Sequence, residues 1–313
     1  MKKLISVFLF ITLLSFLSCG KKTEAVEDID STALIIAVLP TYDCIPFYYA
    51  EQEGLFDSLG VSVRLLTYAS SMDADTAFVN GEAHGVVSDI VKAALWKTEG
   101  DSIKIVMAMD PELSLVSAKS ARLFKTESIK EKIIAITRHS IVDFTADMIL
   151  ESVKLKSEEL NKPQINNIKL RTKMTDQNQF DGAILPEPFT TETTNVYGSK
   201  LLTSSSKIGL HYMASFIFND SIISKRKEDI RNVINAYNLA VGELNRKKTY
   251  PLQYLPKENV SEVPDTLFDY KQIAQGALPH DTLLQKVNKW IIGRKLAKNA
   301  VLYSSIVDST FIK

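Results

Sequence analysis

The chain has 313 residues, with 37 Lys and Arg against 37 Asp and Glu, and 45% of its residues are hydrophobic. No dense block of lysine and arginine interrupts this neutral balance, which argues against a nucleic-acid partner because phosphate backbones require such blocks. The length exceeds that of one ordinary domain, so two lobes with separate cores are expected.

The amino terminus has the pattern of an export signal. Two lysines precede an apolar run over residues 4–17, which ends at Ser18, Cys19 and Gly20. The run is too short to cross a bilayer comfortably. A cysteine directly after a small residue resembles the lipobox of bacterial lipoproteins, in which the thiol is diacylated. We predict a lipoprotein signal peptide over 1–18, a lipid anchor at Cys19 and a polar tether over 19–31. A signal peptide without lipid is the alternative, since Phe16 and Leu17 depart from the tighter lipobox.

Cys44 is the only other cysteine. If Cys19 carries lipid, Cys44 has no partner, so no disulfide framework is expected even in an oxidising compartment. The expected location is the cell envelope, with the chain lipid-anchored to a bacterial membrane and facing the periplasm or the exterior. We expect a monomer.

The rest of the chain alternates short apolar runs with amphipathic segments, which is typical of an α/β fold. In the first series we predict strands over 34–39, 61–68, 85–87 and 103–109, and helices over 47–53, 73–80 and 90–97. A second series begins near Leu115, with strands over 132–137, 168–171 and 182–185, and helices over 142–153 and 189–196.

After His211 the chain is expected to return to the first series. A strand over 213–218 precedes a long helix whose apolar residues recur at helical spacing, and a later stripe includes Leu283 and Trp290. The predicted first lobe therefore comprises 32–114 and 212–313, and the second lobe comprises 115–211.

Several segments resemble the NMT1/THI5-like solute-binding proteins, whose relatives bind nitrate, taurine and alkanesulfonates. The resemblance rests on segments 38–50, 53–61, 81–89 and 185–189, the last of which reads Leu-Pro-Glu-Pro-Phe, and on the closing segment 303–311. It implies a two-lobed, periplasmic-binding-protein-like fold of type II, with two mixed sheets flanked by helices and a ligand cleft between the lobes.

The loops that follow the strands are expected to line this cleft, because ligands of open α/β sheets lie outside the carboxyl ends of the strands. Helix amino termini there could hold a carboxylate, sulfonate or phosphate. Ser or Asp at such positions could equally be helix caps alone. The candidates from these loops are Tyr42, Asp43, Ser70, Ser71, Ser88, Asp89, Arg138, His139 and Ser140.

Acidic and aromatic candidates indicate a different ligand. Asp43 and Glu187 suggest a ligand with N–H donors, and Tyr42, Phe47 or Tyr212 could provide a flat apolar wall. Glu187 could instead make an interlobe hydrogen bond that helps closure. The pair His211 and Tyr212 could line the cleft or act only as a hinge.

The resemblance implies a substrate-binding lipoprotein of an ABC-type uptake system, which closes on a small solute and delivers it to a permease driven by an ATPase. The solute would be a pyrimidine or thiamine precursor, or an anion such as a sulfonate or nitrate. No enzyme activity and no cofactor or metal are expected. The alternatives are an enzyme on the same fold, related to chorismate dehydratase or the pyrimidine synthases, and a sensor or scaffold lipoprotein.

Overall fold

The computed structural model describes residues 32–248, 252–256 and 268–312. The predicted signal peptide, anchor and tether lie outside these residues and stay predictions.

The structure contains two groups of strands. In chain order the strands are β1 Leu34–Val38, β2 Val63–Thr67, β3 Gly85–Asp89, β4 Ile103–Met109, β5 Leu113–Ser117, β6 Ile134–Ala135, β7 Gly182–Pro186, β8 Lys200–Ser204 and β9 Ala214–Asn219. The first sheet has the order β2-β1-β3-β9-β4, and the second has the order β6-β7-β5-β8.

The helices alternate with the strands. They are α1 Ile45–Gln52, α2 Leu55–Ser58, α3 Ser71–Val79, α4 Ile90–Glu99, α5 Ile141–Ser152, α6 Ile168–Asp176, α7 Phe189–Asn195, α8 Asp220–Lys247, α9 Asp281–Gly293 and α10 Tyr303–Ile306.

Both sheets mix parallel and antiparallel pairs. In the first sheet β1 pairs in parallel with β2 and β3, whereas β9 runs antiparallel to β3 and β4. In the second sheet β6 and β7 are parallel, and β5 runs antiparallel to β7 and β8. All residues of β3, β5 and β7 are buried, as expected for strands covered on both faces. The expected α/β fold with two mixed sheets is confirmed.

Two segments of the described chain connect the sheets. The first, 110–112, leads from β4 to β5, and the second, 205–213, leads from β8 back to β9. Asp110 joins them, because its carboxylate accepts a hydrogen bond from the backbone N–H of Tyr212 (2.7 Å) and lies 3.1 Å from Nδ1 of His211. The crossing segments are thus held side by side.

Most of the predicted elements are present within two residues of their expected bounds, but the second sheet differs from prediction. The strand predicted over Ile168–Arg171 is wrong, because these residues form the first turn of α6. Only Ile134 and Ala135 of the strand predicted over 132–137 pair with a neighbour. The edge strand β8 was not expected, since its first two residues are exposed and give no apolar run.

The carboxy-terminal helix α9 contacts elements of both sheets. Its buried stripe includes Leu283, Val287, Trp290 and Ile291, and α9 packs against α4 beside the first sheet. On the other side, the indole N–H of Trp290 donates to Asp147 of α5 at 2.7 Å. Lys162 and Arg294 also pair with Asp147. The helix therefore links the outer layers of the two sheets.

Gly182 lies at a close approach between β7 and β5. A Cβ atom at this position would lie 2.3 Å from the carbonyl oxygen of Val116. Because the strands must separate to accommodate it, we expect Gly182→Ala to lower the free energy of unfolding by about 1–3 kcal/mol in urea. Gly242→Ala in α8 is the matched control: its Cβ would meet nothing within 4 Å, so helix propensity should raise stability by about 0.5–1 kcal/mol. Equal effects of the two changes would contradict this packing.

Candidate functional site

A cavity of about 70 Å³ lies between the two sheets, and we call it the small cavity. Its lining includes Ser71, Ser88 and Asp89 from the side of the first sheet, and Thr137, Arg171 and Pro186 from the side of the second. One water requires only about 15 Å³ of such space, so a compact solute of a few heavy atoms fits.

Three helices begin at the small cavity. Ser71 is the first residue of α3, Ile141 of α5 and Ile168 of α6, and all three residues line it. The first turn of a helix presents unpaired N–H groups and partial positive charge. The polarity of the walls therefore favours an anion.

Arg171 provides a full positive charge at the same place. Its side chain is almost completely buried, with 1% of the residue exposed. Nη1 donates to Oγ1 of Thr137 at 2.8 Å and to the carbonyl oxygen of Ile165 at 2.7 Å, whereas Nε has no hydrogen-bond partner.

No Asp or Glu in the described part of the chain forms a salt bridge with Arg171. Burial lowers the pKa of Arg171 to about 10, so the guanidinium stays charged at neutral pH. An unpaired buried cation is costly. An anion in the small cavity would supply the missing counter-charge.

The sequence positions Arg171 through a polar face of α6. Asn167 caps this helix by accepting the N–H of Leu170, and the buried residues Ile168, Arg171, Thr172 and Thr175 recur at helical spacing. The same spacing is visible in the sequence. It was missed because Ile168 and Leu170 alternate with Lys169 and Arg171, which also fits a short strand.

The facing wall carries acidic groups. Asp89 caps α4 by accepting the N–H of Lys92 at 2.9 Å, and burial raises its pKa. Asp43 also lines the small cavity, and burial raises its pKa to about 6, against the lowering effect of a hydrogen bond from Thr41. Neutral carboxyl groups can donate to an anion, so these residues are compatible with one when protonated.

A second cavity, of about 230 Å³, lies beside the first and shares Asp43 with it. We call it the acidic cavity, since Asp43, Asp110, Glu112 and Glu187 line it together with Tyr42, His211 and Lys271. Glu187 is buried, and Lys271 Nζ lies 2.5 Å from its Oε1 and 3.2 Å from Oε2 of Glu112. Burial lowers the pKa of Lys271, but these two carboxylates raise it above its usual value.

Contacts between the two sides close the small cavity. The backbone N–H of Tyr42 donates to the carbonyl oxygen of Glu187 at 2.9 Å, and that of Ile168 donates to Ala69 at 3.1 Å. At the same edge as Ala69, Nδ2 of Asn166 lies 3.5 Å from the sulfur of Met72. The structure therefore shows the two sides in contact around the cavity.

Six of the twelve residues predicted for the site line one of the two cavities. Ser71, Ser88 and Asp89 line the small cavity, Tyr42 and Glu187 line the acidic cavity, and Asp43 lines both. Glu187 makes interlobe contacts through its backbone and its side chain, which was the alternative role considered for it.

The other six residues lie outside both linings. Phe47 packs in the core against Phe216 and Tyr237, so it forms no wall for a ligand. Tyr212 stacks edge-on against His280. The remaining four are local: Ser70 and Ser140 are amino-terminal caps, the N–H of His139 donates to Asp143, and the exposed Arg138 donates to the carbonyl oxygen of Lys162.

Cys44 is buried in the core beside the first sheet, and burial raises the pKa of its thiol well above the usual value. Among residues 32–248, 252–256 and 268–312, no group of three or more His, Cys, Asp and Glu is placed to hold a metal ion. Within those residues no helix is long and apolar enough to cross a membrane.

Comparison with known proteins agrees with the resemblance seen in the sequence. The model of the NMT1/THI5-like family matches residues 41–265, which is more than half of the chain. The chain belongs to the NMT1/THI5-like family. No curated protein matches its sequence significantly.

Solved structures share the fold of this NMT1/THI5-like chain at low identity. The ligand-binding component of an ABC-type import system from Staphylococcus aureus, with zinc bound, is 13% identical, with 90% of this chain and 97% of that chain covered and a TM-score of 0.72. The alkanesulfonate-binding protein SsuA from Xanthomonas axonopodis pv. citri, bound to MOPS, is 16% identical, with coverage of 89% and 99% and a TM-score of 0.74.

A third match is a mutant of DszB in complex with biphenyl-2-sulfinic acid, at 11% identity, coverage of 89% and 97% and a TM-score of 0.62. These likenesses establish the α/β, periplasmic-binding-protein-like fold with two mixed sheets flanked by helices.

The ion pair between Lys271 and Glu187 is expected to help hold the two sides of the molecule closed. Lys271→Met leaves the buried Glu187 carboxylate without its cation, so the closed form should lose roughly 1–2 kcal/mol, a value reduced by the partial exposure of Lys271. We expect the radius of gyration measured by small-angle X-ray scattering to rise. The control Lys130→Met removes an exposed pair with Glu159 and should leave the radius unchanged. Equal scattering curves for all three proteins would show that Lys271 does not hold the two sides together.

Proposed function

We propose that this chain is the substrate-binding lipoprotein of an ABC-type uptake system and that it captures a compact anion between its two lobes. Each lobe is built on one sheet, and the second lobe begins with β5 at Leu113, two residues before the boundary predicted at 115. The observation that carries the proposal is the buried guanidinium of Arg171, which lines the small cavity and forms no salt bridge with a carboxylate of the described chain.

The size of the small cavity supports a compact solute. About 70 Å³ suits an anion of nitrate, carboxylate or small-sulfonate size better than a pyrimidine. The aromatic residues considered for a larger organic ligand do not support that alternative, because neither Phe47 nor Tyr212 lines the cavity. SsuA of Xanthomonas axonopodis is an alkanesulfonate-binding protein, which supports the same class of ligand.

In the proposed mechanism, the anion enters an open cleft and contacts the first turns of α3, α5 and α6. Arg171 and Ser88 then approach it from opposite walls as the lobes close about the crossing segments 110–112 and 205–213. Closure adds the contacts of Glu187 with Tyr42 and Lys271. Affinity arises from the enclosed polar contacts, less the free energy that closing costs.

The closed receptor would dock on a membrane permease driven by an ATPase and release the anion unchanged. We propose that Cys19 carries the lipid anchor and that the receptor works as a monomer in the cell envelope. The enzyme alternatives gain no support from Cys44, whose thiol is buried in the core and has a raised pKa.

Replacing Arg171 tests this function. Arg171→Met removes the counter-charge of the proposed anion, so we expect affinity for nitrate, formate or methanesulfonate to fall about 100-fold or more by titration calorimetry. Without ligand, the free energy of unfolding should stay within about 1 kcal/mol of wild type, because the lost hydrogen bonds are offset by the lost burial of an unpaired charge.

The matched control is Arg138→Ala, which removes an exposed arginine that lies outside the lining of both cavities. It should leave the affinity unchanged. If these anions still bind to Arg171→Met but not to Arg138→Ala, the assignment of the site to Arg171 is wrong. Conversion of an anion into a product would favour an enzyme instead.

A further inference from the structure

Among the described residues, three buried polar side chains near the small cavity have no hydrogen-bond partner at good geometry, although two of them, Asp75 and Ser88, are close enough to interact. They are Asp75, both of whose carboxyl oxygens are unpaired, Ser88 and Ser215. Buried polar groups are almost always hydrogen-bonded in native proteins, so three such groups in one region call for an explanation. None of them is needed to cap a helix, which separates them from the other serines and aspartates of the site.

The fold brings these groups together behind the cavity wall. Ser88 on β3 pairs directly with Ser215 on β9, which places their side chains on the same face of the sheet. Asp75 lies on α3, which packs against β3 and β1. Ser88 lines the small cavity and Asp75 does not, so Ser88 stands between Asp75 and a bound solute.

The groups around Asp75 have opposing effects on its pKa. Burial raises its pKa to about 7; the hydroxyl of Ser88 lowers it, the carboxylate of Asp89 raises it and the ammonium of Lys92 lowers it. Strand β1, which also packs on α3, carries no titratable side chain. A pKa near 7 would allow Asp75 to change charge near neutral pH.

Given the proposed anion receptor, we propose that Asp75 is a positioning residue that couples anion binding to uptake of one proton. The protonated carboxyl donates its O–H to Ser88, and Ser88 then turns its own O–H toward the anion. When Asp75 is ionised, the hydroxyl of Ser88 donates to the carboxylate instead, and the anion loses a donor and faces a negative charge. The proton comes from solvent, and no bond to the anion forms or breaks.

This coupling gives the affinity a definite pH dependence. Since only the protonated form presents Ser88 as a donor, affinity should be constant below the pKa of Asp75 and fall by up to tenfold per pH unit above it. Asp43 also lines the cavity, and burial raises its pKa to about 6, so its contribution has to be measured separately.

The experiment is titration calorimetry with sodium nitrate and sodium methanesulfonate between pH 5.5 and 8.5, in two buffers of different ionisation enthalpy. Wild type should take up close to one proton per anion at pH 8. Asp75→Asn keeps a donor toward Ser88 at every pH, so its affinity should stay nearly constant and its proton uptake should fall toward zero. Ser88→Ala should bind about tenfold more weakly at pH 6. Asp43→Asn should retain the fall in affinity above pH 7.

A readout without ligand tests the same group. A carboxyl whose pKa is higher in the folded than in the unfolded state makes the folded protein less stable as pH rises between the two values. Asp75→Asn should therefore gain stability relative to wild type between pH 5 and pH 8 in urea unfolding. A stability difference between the two proteins that does not change with pH would show that Asp75 keeps one charge state over this range, and it would overturn the coupling.

The outcomes separate the two proposals. If wild type binds the anions, Arg171→Met abolishes binding and Asp75→Asn has the same pH profile as wild type, the coupling is overturned and the receptor stands. If wild type binds neither anion at any pH, the proposed anion receptor fails and the coupling fails with it. A flat profile for Asp75→Asn together with a falling one for wild type supports the coupling.

Discussion

The positive charge of Arg171 is the constraint on which the site depends. The protein holds this guanidinium in a place that water scarcely reaches, with two neutral acceptors and no carboxylate from the described chain. Such an arrangement is unfavourable for the closed protein alone and becomes favourable when an anion enters. The three helix starts around the cavity act in the same direction, because their backbone N–H groups add donors and partial positive charge.

The acidic cavity has the opposite character, and two of its carboxylates, Glu112 and Glu187, are already paired with a lysine. Lys271 occupies the position that a cationic group of a ligand would take between Glu187 and Glu112. In the proposed receptor, the small cavity would leave the charge of Arg171 for the anion, and the acidic cavity would use its charges to join the two sides. Glu187 was a reasonable candidate from its place between two prolines, but the sequence could not reveal that a lysine 84 positions later would reach it.

The first sheet could be predicted from the sequence because its strands are uniform apolar runs followed by capped helices. The second sheet could be predicted less well, since β8 is half exposed and β6 pairs through only two residues. The site residues beside the first sheet were likewise easier to predict than those beside the second. Ser88 and Asp89 end β3 of the first sheet, Ser71 begins the helix after β2, and all three were predicted. Arg171 was missed because the alternation of apolar and charged residues around it also fits a strand. Arg138 was preferred because it stands before a helix, but its side chain turns to the surface, and no local pattern specifies that direction.

The contacts of helix α9 with both sides of the molecule bear on where a solute would enter and leave. Because Trp290 and Arg294 fasten this helix to Asp147 while its other side packs on α4, the lobes are restrained along the edge where α9 lies. Near Ala69 and Met72, by contrast, the two sides meet through one backbone hydrogen bond from Ile168 and through contacts of the Met72 sulfur with Gln164 and Asn166. In the proposed receptor, the cleft would therefore open near Met72. The residence time of the bound solute would depend on the weak contacts there and hardly at all on the ionic contacts elsewhere.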